Sequence, residues 1–186
     1  VWDAATGQEV RQFTWNTDTL GSVAFSPDGR YVLSGAPARI WEVATGQEVR
    51  QFIPQSGTVQ SVAFSHDGKS ILTGNDDGSV QLWDAHTGRE LHRFTGHKSL
   101  VIAVRFSPDD KFVLTASGDE TARLWDAATG KELQKFTGHT NIVNSLSFSP
   151  DGKYVSTASG DGTVRVWDVT TGQELGRFPC PASVND

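Results

Sequence analysis

His97, Asp119 and Trp125 stand 22 and then 6 residues apart, and the same residue types recur at the same separations as His139, Asp161 and Trp167. Ser117 and Ser159 lie two residues before each Asp. Serine, histidine and aspartate are the parts of a nucleophilic hydrolase, in which the imidazole takes the hydroxyl proton and the carboxylate orients the imidazole. That chemistry needs one exposed nucleophile, in one pocket, beside an oxyanion site. Here the set is copied whole, together with a tryptophan that no triad uses. A constellation present in each well-formed copy belongs to the architecture of the copy, and we expect no catalytic residues. The two histidines are 42 residues apart with no cysteine set beside them, so they do not read as zinc ligands. Asn75-Asp76-Asp77-Gly78 has the look of a calcium loop but lacks the glutamate of an EF-hand at its required distance, and it reads as a hairpin turn. No glycine-rich loop opens a helix, and no cofactor motif is present. We expect no metal and no cofactor.

The elements that must hold these residues follow from a repeat. Tryptophans fall at 2, 41, 83, 125 and 167, at intervals of 39, 42, 42 and 42 residues. Residues 96–126 form one complete unit, and residues 138–168 are a near copy. Within the first of these, residues 101–106, 111–116, 121–125 and 131–136 are short runs rich in β-branched and aromatic residues. They are separated by the turns Ser107-Pro108-Asp109-Asp110, Ser117-Gly118-Asp119-Glu120 and Ala127-Ala128-Thr129-Gly130. Short strands at even spacing with such turns predict an all-β fold, and four strands per unit of 42 residues select a propeller of four-stranded antiparallel blades. The Thr-Gly pairs at 6–7, 45–46, 87–88, 129–130 and 171–172 read as hairpin turns with glycine at a position of positive φ.

With Gly96-His97, Gly138-His139, and Trp-Asp at 2–3, 83–84, 125–126 and 167–168, the chain resembles the WD-repeat β-propeller family, with Trp41-Glu42 as a variant. The resemblance covers residues 1 to about 178, and the Ala-Thr-Gly-Gln/Lys-Glu wording of the last turn is similar to WD-repeat tracts of bacterial multidomain proteins. It implies four full blades, at 15–53, 54–95, 96–137 and 138–178, preceded by a two-strand remnant at 1–14 and followed by a tail or linker at 179–186. It also implies a structural network. Asp accepts from its own turn and from His, His meets the Ser hydroxyl, and that hydroxyl reaches the Trp indole. The residues are His97, Ser117, Asp119 and Trp125, then His139, Ser159, Asp161 and Trp167, with Asp77 and Trp83 in the second unit.

The units differ. At the position of Gly-His the first unit has Trp15-Asn16 and the second has Pro54-Gln55. The Ser-Pro-Asp-Gly turn is intact at 26–29 and 149–152, becomes Ser65-His66-Asp67-Gly68 in the second unit, and loses its glycine to Asp110 in the third. The first unit is three residues shorter, and its turn Gly35-Ala36-Pro37 has no Asp.

Net charge is −6 and the basic residues are scattered, which argues against a nucleic-acid partner. No run of 18 apolar residues exists, so no membrane partner is expected. The single Cys180 suits a reducing, cytoplasmic compartment. The absence of methionine and the opening on the end of a strand suggest a piece of a longer protein. An open array also presents two apolar end faces, which invites association of copies to complete a ring. The expected function, carried by the resemblance, is a non-enzymatic scaffold for protein partners; in the family such arrays often sit beside a kinase, protease or nucleotide-switch domain. The alternative is a propeller that binds glycans or small molecules. Partner contacts are expected on the loops before the first and after the second strand of each blade, at Lys98, Leu100, Asn141, Ile142 and Asp76.

Overall fold

The computed structural model describes residues 1–13 and 22–180. Among the described residues there is no helix, and the strands form four antiparallel sheets of four. The first holds β1 (Val23–Phe25), β2 (Tyr31–Ser34), β3 (Ala38–Glu42) and β4 (Glu48–Phe52). The second holds β5 (Val59–Phe64), β6 (Ser70–Asn75), β7 (Val80–Asp84) and β8 (Glu90–Phe94). The third holds β9 (Val101–Phe106), β10 (Phe112–Ser117), β11 (Ala122–Asp126) and β12 (Glu132–Phe136). The fourth holds β13 (Val143–Phe148), β14 (Tyr154–Ser159), β15 (Thr163–Asp168) and β16 (Glu174–Pro179). Each sheet is a simple meander in chain order. This is the expected all-β architecture of propeller blades.

Turn chemistry inside each unit explains why these runs pair as they do. Ser107 Oγ donates to Asp109 Oδ1 at 2.7 Å and accepts from Phe112 N at 2.9 Å, which closes the β9–β10 turn. Ser65 and Ser149 do the same in their own sheets. The Asp after each tryptophan closes the next turn: Asp126 Oδ1 accepts the Thr129 N–H and hydroxyl, both at 2.7 Å. Gly130 follows at φ 72°, a backbone that glycine adopts without a Cβ clash. In the first sheet Glu42 stands in for Asp and accepts the Thr45 hydroxyl at 2.8 Å.

The central strands of the second and third sheets are buried on both sides because each of these sheets is packed between two neighbours. Leu33, Ala38, Ile40 and Phe52 of the first sheet meet Val59, Val62, Ile71 and Trp83 of the second. The second and third sheets meet through Leu72, Val80 and Phe94 against Val101, Val104, Val113 and Trp125. The third and fourth meet through Leu114, Leu124 and Phe136 against Val143, Leu146, Val155 and Trp167. Each seam carries one aromatic pair from the outer strand of one sheet to the third strand of the next. These are Phe52–Trp83, Phe94–Trp125 and Phe136–Trp167, with ring centroids 5.9, 5.6 and 5.4 Å apart. Burying a phenylalanine ring contributes about 2–3 kcal/mol.

Residues 1–13 continue this pattern at the N-terminal side. Trp2 forms a bridge with Glu9, the place where Trp41 pairs with Glu48 and Trp83 with Glu90. The expected two-strand remnant is thus reduced to this one bridge and the turn bonds beside it. Phe13 stacks on Trp41 at 5.8 Å, and Arg11 Nη2 donates to Ala44 O at 2.6 Å. Trp15-Asn16 and most of the expected tail lie outside the described residues.

Candidate functional site

In the third sheet the recurring residues converge on one buried chain of hydrogen bonds. Trp125 Nε1 donates to Thr115 Oγ1 at 3.0 Å. Thr115 Oγ1 lies 2.7 Å from His97 Nε2, and His97 Nδ1 lies 3.0 Å from Asp119 Oδ2. The threonine hydroxyl accepts from the indole and meets the ring at Nε2, while the carboxylate faces the ring at Nδ1. Burial of the His97 ring favours its neutral form. The fourth sheet repeats the chain of bonds: Trp167 to Thr157 at 2.9 Å, Thr157 to His139 at 2.8 Å, His139 to Asp161 at 2.8 Å.

The structure corrects one expectation. Ser117 and Ser159 do not join His to Trp; Thr115 and Thr157 do. Trp125 pairs across the sheet with Val113, which makes Thr115 its diagonal neighbour. Ser117 lies two residues further along the strand, roughly 7 Å beyond. The β9–β10 register also shifts between Ala116 and Ser117. Ser117 Oγ instead donates to Ser99 O at 3.1 Å and accepts from Asp119 N at 3.1 Å. Ser159 does the same with Asn141 O and Asp161 N. The missed threonines had a visible signal, since Thr73, Thr115 and Thr157 all stand ten residues before a tryptophan.

Each aspartate ties its turn to the preceding loop. Asp119 Oδ1 accepts the Thr121 hydroxyl at 2.6 Å, while Oδ2 accepts Lys98 N at 3.0 Å as well as the His97 ring. Burial pushes the Asp119 carboxyl up, but the bonds from Thr121, Lys98 N and His97 outweigh it and hold the group at about 2. Burial likewise raises Asp161, and its bonds from Thr163, His139 and Thr140 N bring it well below the usual carboxylate range. Burial lowers His97 from its ordinary value, and the Asp119 carboxylate only partly opposes the effect.

Two further residues per sheet were not picked out from the sequence. Arg123 Nη1 donates to Glu132 Oε2 at 2.6 Å, and Arg165 Nη1 to Glu174 Oε2 at 2.8 Å. Both guanidinium groups are buried, and Arg165 also donates to Gly138 O at 2.6 Å. The available signal was a basic residue two before Trp and a glutamate seven after it, also met in the first sheet as Arg39 and Glu48 at 2.9 Å.

The second sheet keeps the frame with different parts. Trp83 Nε1 donates to Thr73 Oγ1 at 3.0 Å, and Ser56 Oγ donates to Asp77 Oδ2 at 2.5 Å from the loop where the histidine would stand. Gln81 replaces the arginine and reaches Glu90 at 2.8 Å. In the first sheet Trp41 Nε1 donates to Ser34 Oγ at 3.0 Å. Chemically, this arrangement fixes loops. The hydroxyls beside the histidine rings are Thr115 and Thr121 in the third sheet and Thr157 and Thr163 in the fourth; Thr115, Thr121 and Thr157 are buried, and Thr121 and Thr163 donate to Asp119 and Asp161.

The expected partner residues lie on the loops so fixed. Gly118 N donates to Leu100 O and Gly160 N to Ile142 O, so each loop is held at its carbonyl as well. Lys98 is exposed, and Ile142 is 40 % exposed, large for an isoleucine on an ordered loop. Leu100 is half-buried against Gly118. Asn141 and Asp76 are partly engaged in local bonds: Asn141 Oδ1 accepts Ile142 N at 2.7 Å, and Asp76 Oδ1 accepts Thr58 N at 2.7 Å.

The family model described as "WD domain, G-beta repeat" matches residues 7–38, 46–84, 88–126 and 130–168. The chain belongs to the WD-repeat family. No curated protein sequence matches it. Propellers of WD repeats are commonly used for protein interactions. The matched unit does not coincide with a sheet: residues 88–126 contain β8 of one blade and β9 to β11 of the next. A WD repeat therefore straddles a seam, so the covalent chain ties each blade to its neighbour. No helix among the described residues is long and apolar enough to cross a membrane.

Proposed function

We propose that this WD-repeat chain is a non-enzymatic, cytoplasmic platform for protein partners, and that the partner sits on the face built by the loops ahead of β9 and β13. The observation that carries this reading is the pinning of those loops. Each is bonded to a buried aspartate through its backbone and to a serine hydroxyl through a carbonyl, while Lys98 and Ile142 project outward. A rigid loop presents its side chains at little entropic cost on binding. Blades at 15–53, 54–95, 96–137 and 138–178 form the platform.

The glycan or small-molecule alternative finds less support. Exposed aromatic rings among the described residues are Trp2, Phe25, Tyr154 and Phe178, which belong to strands or to the N-terminal bridge rather than to equivalent loops. The test is affinity capture with the parent chain and with a Lys98→Glu, Ile142→Asp double variant. A partner retained by the parent and lost by the variant, at unchanged thermal stability, is the expected result. Identical captured sets would remove the loop face from consideration.

A further inference from the structure

We infer that the turn end of strands β5, β9 and β13 forms a second protein-binding surface, a pocket for a partner segment in which an acidic residue adjoins an aromatic one. It lies at the opposite end of β9 from the loop face and stands independently of that reading.

Arg105 is the residue that points there. The first strands of the other sheets carry Ala24, Ala63 and Ser147 at its position, so one blade places a long cation where the others have a small side chain. Arg105 is exposed, and its Nη1 donates to Val104 O of its own strand at 2.8 Å. Arg39, Arg93, Arg123, Arg165 and Arg177 each hold a glutamate. Arg105 has no carboxylate partner among the described residues. A guanidinium presents a planar fork of N–H donors that matches a carboxylate, and most of that fork faces solvent here.

The surroundings of this cation are apolar. A phenylalanine follows its position in every sheet, at 25, 64, 106 and 148, and a proline stands two residues further on except where His66 replaces it. In the second, third and fourth sheets these residues gather round an open cavity of about 270 Å³, lined among others by Phe64, Phe106, Phe148, Pro108, Pro150 and Arg105. Each of these sheets has all four of its strands. Phe64 and Phe148 are half-buried, and the prolines are exposed at the rim. The acids of the neighbouring turns are engaged locally. Asp109 accepts the Ser107 hydroxyl and pairs with Lys111, Asp151 accepts the Ser149 hydroxyl and pairs with Lys153, and Asp110 faces His66. Their charges are met, and that of Arg105 is not.

The occupant follows from size and charge. Pockets that enclose a free small ligand run from about 300 to 1,000 Å³, and this cavity is smaller and open. It suits one aromatic side chain of a polypeptide that continues across the blades. A carboxylate beside that ring then meets the fork of Arg105. An aromatic anchor in a pocket with a charged pair beside it concentrates binding energy in few residues.

The test is fluorescence anisotropy of a labelled Ser-Glu-Phe-Glu-Ser peptide titrated with the 186-residue chain. Saturable binding in the high-micromolar range, weakened by added salt, is the expected result. Arg105→Ser should weaken it about tenfold, and so should a peptide with glutamine in place of both glutamates. Arg105→Lys should recover part of the loss, because it returns the charge without the fork. Arg105 is exposed and its counterparts are alanine and serine, so these variants fold. The Lys98→Glu, Ile142→Asp variant should bind the peptide as the parent does. Absence of saturable binding overturns the inference, as does equal binding by the parent and Arg105→Ser, or of the acidic and amide peptides. Binding that is lost in the loop-face variant also overturns it, because the peptide would then sit at the other end of the strands.

Discussion

His66 and Asp110 are the two residues that break the Ser-Pro-Asp-Gly turn motif, in different blades, and they are bonded to each other. Asp110 Oδ1 accepts the His66 backbone N–H and lies against its ring Nδ1, both at 2.8 Å, and Asp110 Oδ2 accepts Asp67 N at 3.0 Å. Where the motif is intact, proline occupies the position of His66 and offers no N–H. The turn glycine of one blade then lies near the proline of the blade before it, as Gly152 lies near Pro108. Exchanging proline for histidine exposes a donor, and exchanging glycine for aspartate supplies its acceptor. Asp110 holds φ 58° to do so.

This pairing predicts non-additive substitutions. Asp110→Ala should destabilise by about 1–2 kcal/mol, because it removes charge-assisted bonds and leaves a strained backbone. The double variant His66→Pro, Asp110→Gly should return to within about 0.5 kcal/mol of the parent, because it restores the motif in both blades. Urea unfolding of the single and double variants measures this; a double variant weaker than the sum of its singles would contradict it.

The hydroxyl at the centre of each network ranks the substitutions there. Thr115→Val leaves a buried indole N–H and a buried imidazole nitrogen without partners, a loss of about 2–4 kcal/mol. Ser117→Ala removes bonds at the rim of the same turn and should cost about 1 kcal/mol. Asp161→Ala should cost about 1–3 kcal/mol through the donors it abandons. Thermal unfolding orders the three, and a Ser117 variant weaker than the Thr115 variant would reverse the assignment.

Acid should weaken the protein in two stages. His97 has a folded pKa below its ordinary value of about 6.5, so the unfolded chain takes up the proton first, and stability falls as pH drops below that value. Asp119 is depressed from 3.8 to about 2. Its contribution, about 1–2 kcal/mol allowing for solvent screening, is present above 3.8 and disappears as pH falls toward 2. Denaturation midpoints taken from pH 8 to pH 2 would show both stages. A His97→Gln variant should lose the first, and a midpoint in the parent that does not move between pH 7 and pH 5 would count against the neutral imidazole.

The seam phenylalanines separate by environment. Phe94 is 1 % exposed and packed on Trp125, and Phe94→Ala should cost about 3–5 kcal/mol. Phe178 has the same place in its repeat but is 56 % exposed, and Phe178→Ala should cost under about 1 kcal/mol. Near-equal losses in calorimetry would mean that Phe178 is covered in solution.

The sequence by itself determined the local layer. The strand count per unit, the turns, and the role of the Asp after each Trp depend on residues within a few positions of one another, where backbone geometry and short side chains leave few choices. The period and the Trp-Asp spacing then placed the chain among propellers. The tertiary structure decided what depends on register and stacking. Which hydroxyl meets the indole depends on which residues lie diagonally across β10 and β11, and a register shift one residue later turns Ser117 toward Ser99. The bond from Arg50 to Thr87 O, and that from Gln134 to Thr170 O, cross seams between residues 37 and 36 positions apart. The His66–Asp110 pair is 44 apart. No local pattern encodes such meetings, because they exist only once one twisted sheet has been laid on the next.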